Sequence, residues 1–195
     1  MNISAIADYV WNNCLEYSFG ADIDWQEDLF LAGWATNQGV DAQWREMKEG
    51  WYWFCAKASY EDLHKLKKPS SLPAKGCDFG LITRENQNVF SAELLCKPSE
   101  DKWLVVYNGH EKNIKGRVRS HFSLNNDSTG ALGLCHYPVS AWQWKIRMFS
   151  VNQIDPEASS ELRQQIKLLI KSKSGRCAIE SAWRVKNGWP VLCKE

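Results

Sequence analysis

The sequence predicts an α+β domain: a small central antiparallel sheet flanked by helices, with an N-terminal α/β extension packed on it. Three observations point there. Short runs rich in aromatic and β-branched residues recur along the chain, the densest being Trp51-Tyr52-Trp53-Phe54-Cys55, which is the composition of strands. Apolar residues fall at helical spacing in three places, around Ile3 to Leu15, Ile114 to Phe122 and Leu162 to Ile170, each giving one buried stripe. Between them lie turn-rich polar stretches such as Lys97-Pro98-Ser99-Glu100-Asp101, suited to antiparallel connections.

In chain order, Ile3, Ile6, Ala7, Val10, Cys14 and Leu15 predict a first helix of about four turns that ends before Ser18-Phe19-Gly20. From Asp22 to Gly50 acidic residues alternate with Trp25, Trp34 and Trp44, and Asp41 is placed to cap a short helix through Lys48. The run at 51–55 follows a glycine and reads as a strand. Ser59 with Asp62 three positions on forms a cap for a short helix to Leu66. Pro69 to Gly76, with two prolines, two serines and a glycine, is the loop at which a boundary is expected, between an extension of residues 1–70 and a core of residues 71–195.

Beyond it, Phe79 to Thr83, Asn88 to Cys96 and Lys102 to Tyr107 read as strands, the last two as a hairpin across residues 97–101. Ile114, Val118 and Phe122 mark a helix at i, i+4, i+8. Trp142 to Val151 alternates as a strand, with Trp142, Trp144, Ile146, Met148 and Ser150 on one face. Leu162, Ile166, Leu169 and Ile170 define an amphipathic helix after Ser159, which Gly175 closes. A last helix over Arg176 to Lys186 stops at Asn187-Gly188-Trp189-Pro190.

Composition narrows the classes. With 195 residues, 44% apolar and 24% charged, the chain can bury its own core and lacks the signature of disorder. No run reaches the roughly 20 apolar residues of a membrane span, so no membrane and a cytoplasmic location are expected. Seven scattered cysteines form no C-x-x-C pair, which predicts reduced thiols and no zinc site. The net charge of +1 hides an asymmetry: residues 1–70 carry 6 basic against 11 acidic groups, a net −5, and residues 71–195 carry 18 against 12, a net +6. A basic C-terminal part suits a polyanion and is also common on surfaces that bind nothing.

One stretch carries chemistry. In Tyr107-Asn108-Gly109-His110-Glu111-Lys112-Asn113-Ile114-Lys115-Gly116-Arg117-Val118-Arg119-Ser120-His121-Phe122, Gly109 permits a sharp turn off a strand and Asn113 caps the helix that follows. Arg117 and His121, four apart, project from one face of that helix. A second segment places Glu180 among small apolar residues of a basic helix, ten residues before Pro190-Val191-Leu192. A carboxylate in such surroundings wants a cation. Taken singly, Tyr107 is more often a half-buried core residue, His121 a satisfied core histidine, and Glu180 a partner of Arg176 or Arg184 at i−4 or i+4.

Together, the segment from Tyr107 to Phe122 resembles the second half of the GIY-YIG nuclease signature, and Glu180 with its Pro-x-apolar tail resembles that family's closing helix. The resemblance spans about Asn88 to Glu195. It implies a metal-dependent endonuclease acting on DNA, closest to the Type II restriction enzymes of this family, with Tyr107, Arg117, His121 and Glu180 as catalytic residues. Gly109, His110, Lys112, Lys115 and Arg119 would contact substrate, and Glu180 would bind one Mg²⁺. Arg117 would grip the phosphate while Tyr107 or His121 orients or deprotonates water. Residues 1–70 would serve dimerisation, giving a homodimer, or specificity. The family's first half-signature, Gly-Ile-Tyr, has no tyrosine-bearing counterpart in Phe79 to Thr83 or Val89 to Glu93, and Cys193 stands where the tail has asparagine. A catalytically inactive relative that binds DNA or a protein is therefore the alternative.

Overall fold

Helix α1 (Ile3–Asn12) begins at Asn2, whose side chain accepts from the Ala5 N–H, and turns Ile6, Ala7 and Val10 inward. The computed structural model describes residues 2–20, 46–123 and 130–194. Three tryptophans of the acidic segment (25, 34 and 44), and most of the helix expected to start at Asp41, lie outside those residues. The first helix is shorter than expected: Cys14 and Leu15 do not extend it, and Leu15–Gly20 is strand β1. Periodicity could not separate the two because Leu15, Tyr17 and Phe19 also alternate as a strand does.

Strand β2 (Gly50–Ala56) is buried along its whole length. It is followed by α2 (Tyr60–Lys65), started by the expected Ser59–Asp62 capping box, and by α3 (Phe79–Val89), capped by Asp78. Strand β3 (Leu104–Glu111) leads into α4 (Ile114–Ser123). Strand β4 (Gln143–Ser150) precedes α5 (Ser160–Lys171) and α6 (Lys173–Asn187). The four strands form one antiparallel sheet in the order β1-β4-β2-β3.

Several expectations are corrected. Phe79 to Thr83 belongs to a helix, because the Asp78 carboxylate accepts from the Leu81 N–H and starts one. Asn88 to Cys96 forms no hairpin with 102–107; β3 pairs with β2 instead. Gly175 lies inside α6, which begins at its Ser172 cap. A Cβ at Gly175 would come within 2.3 Å of the Leu169 carbonyl oxygen, so the glycine serves the close approach of α5 and α6. Nor is Pro69 to Gly76 a boundary of the sheet, since β1 and β2 come from residues 1–70 and β3 and β4 from the rest.

Both faces of β2 are covered, which explains its unbroken apolar run. Trp51 and Trp53 point to α1 and α6: the Trp53 ring lies 5.3 Å from Trp11 and 5.8 Å from Trp183, and the Trp51 indole N–H donates to the Arg176 carbonyl at 2.8 Å. Tyr52 and Phe54 point to α4, where both meet His121. Trp51, Trp53, Trp144 and Trp183 are all fully buried. Truncating one such ring costs about 3–5 kcal/mol, a large part of the roughly 5–15 kcal/mol net stability of a domain.

The stripe Ile114, Val118 and Phe122 is entirely buried, as its spacing requires. The seven cysteines are free thiols. No helix among the described residues is long and apolar enough to cross a membrane.

Candidate active site

Strand β3 is the sheet edge, and its register sets the site. Phe54 faces Tyr107 but Cys55 faces Val105, so Val106 is an extra residue on β3. Bulges of this kind re-aim neighbouring side chains. The Val106 carbonyl accepts from the Leu192 N–H at 2.8 Å, which ties the C-terminal tail to the strand. Asn86 of α3 holds the same tail, donating to the carbonyls of Val191 and Cys193.

Next to the bulge, a cleft of about 340 Å³ opens between α4 and α6. Tyr52, Tyr107, Arg117 and Glu180 line it, together with Gly109, His110, Asn108 and Arg184. The structure thus brings Tyr107, Arg117 and Glu180 together. Lys112, Lys115 and Arg119 are not among its lining residues. Lys112 is exposed in the turn after β3, and Lys115 and Arg119 are partly exposed on α4.

Tyr52 was missed by sequence reasoning, which sought a partner for Tyr107 in the segments just before β3. Its signal was Gly50-Trp51-Tyr52 at the start of the most aromatic strand. Tyr52 lies opposite Gly109, and its ring stacks near Tyr107 with centroids 6.3 Å apart. A Cβ on Gly109 would fall 2.6 Å from the Tyr52 hydroxyl oxygen. The glycine therefore makes room for a phenol laid across the strand.

This gives a direct test. Gly109→Ala should displace Tyr52, costing about 1–3 kcal/mol as overpacking does and lowering Tm by roughly 2–4 °C per kcal/mol in a chain of this size. Thermal unfolding measures it, and an unchanged Tm would mean the phenol does not sit there.

His121 does not face the cleft. It is fully buried, 4.5 Å from Tyr107 between ring centroids. Its Nδ1 accepts from the Leu132 N–H at 3.2 Å, so the ring proton sits on Nε2. That N–H donates to the Tyr52 hydroxyl oxygen at 3.0 Å. Burial, with Arg117 nearby, pushes the histidine well below its usual pKa, and the neutral tautomer persists at ordinary pH.

Arg117 lines the cleft with Tyr52 and Tyr107, near enough for its charge to act on both phenols. Burial works against its charge, but the two phenolic oxygens outweigh that and raise its pKa. Burial lifts Tyr107 to about 12, with Cys193 adding to the rise and Arg117 opposing it. Burial also raises Tyr52, with Tyr107 adding and Arg117 opposing.

Across the cleft, Glu180 pairs through Oε1 with Arg184, one of the two partners expected of an ordinary helix pair. The other, Arg176, is buried and donates to the Ile170 carbonyl at 2.6 Å. Glu180 Oε2 lies 3.7 Å from His110 Nε2, which also contacts the Cys177 sulfur at 3.1 Å. Burial raises the Glu180 carboxyl above its usual pKa, with Arg184 pulling the other way. Arg184 also donates from Nε to Asn108 Oδ1 at 2.9 Å.

Cys193, in the tail, is buried and contacts the Asn108 backbone N–H through its sulfur at 3.4 Å. It braces β3, and burial raises its thiol to about 12.

No group of three or more His, Cys, Asp or Glu among the described residues could hold a metal ion. Two carboxylates line the cleft, Glu180, partly withdrawn from water, and Glu111, whose Oε1 accepts from the Lys112 N–H at 2.7 Å. Mg²⁺ accepts such a site only when water and substrate oxygens supply the rest of its octahedron. Comparison with protein-family models, with curated proteins and with solved structures finds no match for this chain.

Proposed function

We propose that this chain is a GIY-YIG-type endonuclease that hydrolyses DNA phosphodiester bonds with one Mg²⁺. The observation that carries the reading is the meeting of Tyr52, Tyr107, Arg117 and Glu180 around one cleft at the sheet edge. Gly50-Trp51-Tyr52 lies on the strand paired with β3 and, on this reading, would take the part of the family's Gly-Ile-Tyr. The alternative of an inactive relative drew its force from the lack of such a tyrosine.

The residues divide the work. Arg117 is the cation of the α4 side and would take the non-bridging oxygens of the scissile phosphate, whose charge grows in the transition state. Tyr52 is the better-placed base: the His121 Nε2–H donates to its oxygen and the nearby Arg117 charge opposes its raised pKa, so both would stabilise it as it loses a proton to become phenolate. His121 is then a positioning residue, because both its ring nitrogens are committed inside the fold. Tyr107 shares Arg117 and would orient the attacking water.

Glu180 would hold the Mg²⁺, which supplies Lewis-acid stabilisation at the leaving oxygen. Arg184, paired with Glu180, would compete with a cation for the carboxylate, and a bound phosphate would offer the guanidinium another anion. Residues 1–70 supply β1, β2 and Tyr52 to the sheet and the cleft, and the remainder of that stretch would serve dimerisation or specificity.

Incubation with supercoiled plasmid tests the proposal: nicked or linear DNA is expected with Mg²⁺ and none with chelator. Intact plasmid under both conditions, across a range of sequences and protein concentrations, would sink it.

A further inference from the structure

A second, larger cavity of about 730 Å³ adjoins the cleft, and Arg184 lines both. Its floor is pinned. The Trp189 N–H donates to the Leu94 carbonyl at 2.7 Å, and the Cys96 N–H donates to the Trp189 carbonyl at 3.0 Å. Gly188 (φ +92) allows this approach, since a Cβ there would fall 2.6 Å from the Leu95 carbonyl carbon.

The walls combine rings, aliphatic side chains and charges of both signs: Glu93 lines the groove as well as Lys97, while Lys186 is paired with Asp8 and Arg184 with Glu180. Phe90 and Trp189 are stacked, with centroids 5.1 Å apart and planes at 20°, and the Arg184 guanidinium lies 4.2 Å from the Trp189 centroid. Leu94 is 59% exposed and Val185 89%, large apolar groups left facing solvent beside the groove. Lys97, also exposed, stands on the rim. Lys97 and Asn187 are shared with a further cavity, in which the Lys145 ammonium lies 4.4 Å over the Trp103 ring.

A ring pair with Lys97 and Arg184 in the same groove, running out of the proposed phosphate-cutting cleft, matches the needs of an unpaired strand. Bases stack on rings whatever their sequence, and the backbone follows the positive charge. A duplex keeps its base faces covered and has no use for Phe90 and Val185 at a groove wall. We infer that this groove binds an unpaired segment of the substrate strand next to the scissile phosphate, so that the preferred substrate is DNA with a single-stranded flank. The inference rests on the nuclease reading and extends it to the class of substrate.

Fluorescence anisotropy of the full chain without metal ion tests it, using a blunt labelled duplex and the same duplex with an oligo-dT tail. The tailed duplex is expected to bind roughly tenfold tighter, the equivalent of one well-stacked base. Val185→Glu and Lys97→Glu, both surface changes outside the catalytic cleft, should abolish that preference and leave blunt-duplex binding nearly unchanged.

Equal binding of the two duplexes, with plasmid cleavage intact, overturns the groove and spares the nuclease. Binding of neither, with no cleavage, overturns both. Self-association in sedimentation that Val185→Glu abolishes, with no tail preference, assigns the groove to a second copy of the chain and equally overturns the inference.

Discussion

Glu180→Gln and Arg117→Ala should each lower plasmid cleavage by on the order of 10²–10³-fold, the usual loss when one group that stabilises transition-state charge is removed. The two variants fail for different reasons. Glutamine keeps the shape of Glu180 and its hydrogen bond to Arg184, so the partly buried guanidinium retains an acceptor besides Asn108 Oδ1. Only the negative charge is lost. DNA binding without metal should survive or strengthen, and raising Mg²⁺ should restore little activity.

Arg117→Ala removes the cation shared by the Tyr52 and Tyr107 hydroxyls. Both phenols then lose the contact that opposes their raised pKa, and the phosphate loses its fork. Cleavage and DNA affinity should fall together. Cleavage assays beside anisotropy separate the two patterns, and wild-type cleavage by either variant would remove that residue from the mechanism.

Tyr52→Phe should reduce cleavage by about 10²–10⁴-fold, the range for loss of a general base. The pH profile distinguishes this from a merely structural effect. Tyr52 titrates above the ordinary tyrosine value, from burial and from Tyr107, so the active phenolate is the minor form throughout the neutral range. Below its pKa the ionised fraction grows about tenfold per pH unit, and the wild-type rate should climb with pH while that of the Tyr52→Phe variant stays flat. The substitution also strands the His121 Nε2–H, which costs about 1–3 kcal/mol when buried and should appear as a lower Tm. A flat wild-type profile, or full activity without the hydroxyl, would reassign the base.

Much of the site was legible because much of it is local. Tyr107, Gly109, Arg117 and His121 lie on one strand and the helix that follows it, and the buried stripe of α4 is set by spacing alone. Glu180 was legible as a carboxylate among small apolar residues, and its pairing with Arg184 as an i+4 neighbour. Phe79 to Thr83, a short apolar run, fits either period, and the Asp78 carboxylate that accepts from the Leu81 N–H decides for the helix.

Residue identity and spacing by themselves determined the α+β class, the helices α4 and α5, the capping box at Ser59 and the arginine-to-histidine face beside Tyr107. Tertiary structure alone decided that β3 pairs with β2, that Tyr52 fills the space over Gly109, and that His121 is committed inside the fold. The physical reason is range. Capping and helical periodicity act over three or four residues and leave a mark in the text of the chain. Strand pairing joins backbone groups across an intervening α2 and α3, and nothing in either strand names its partner until the core is packed.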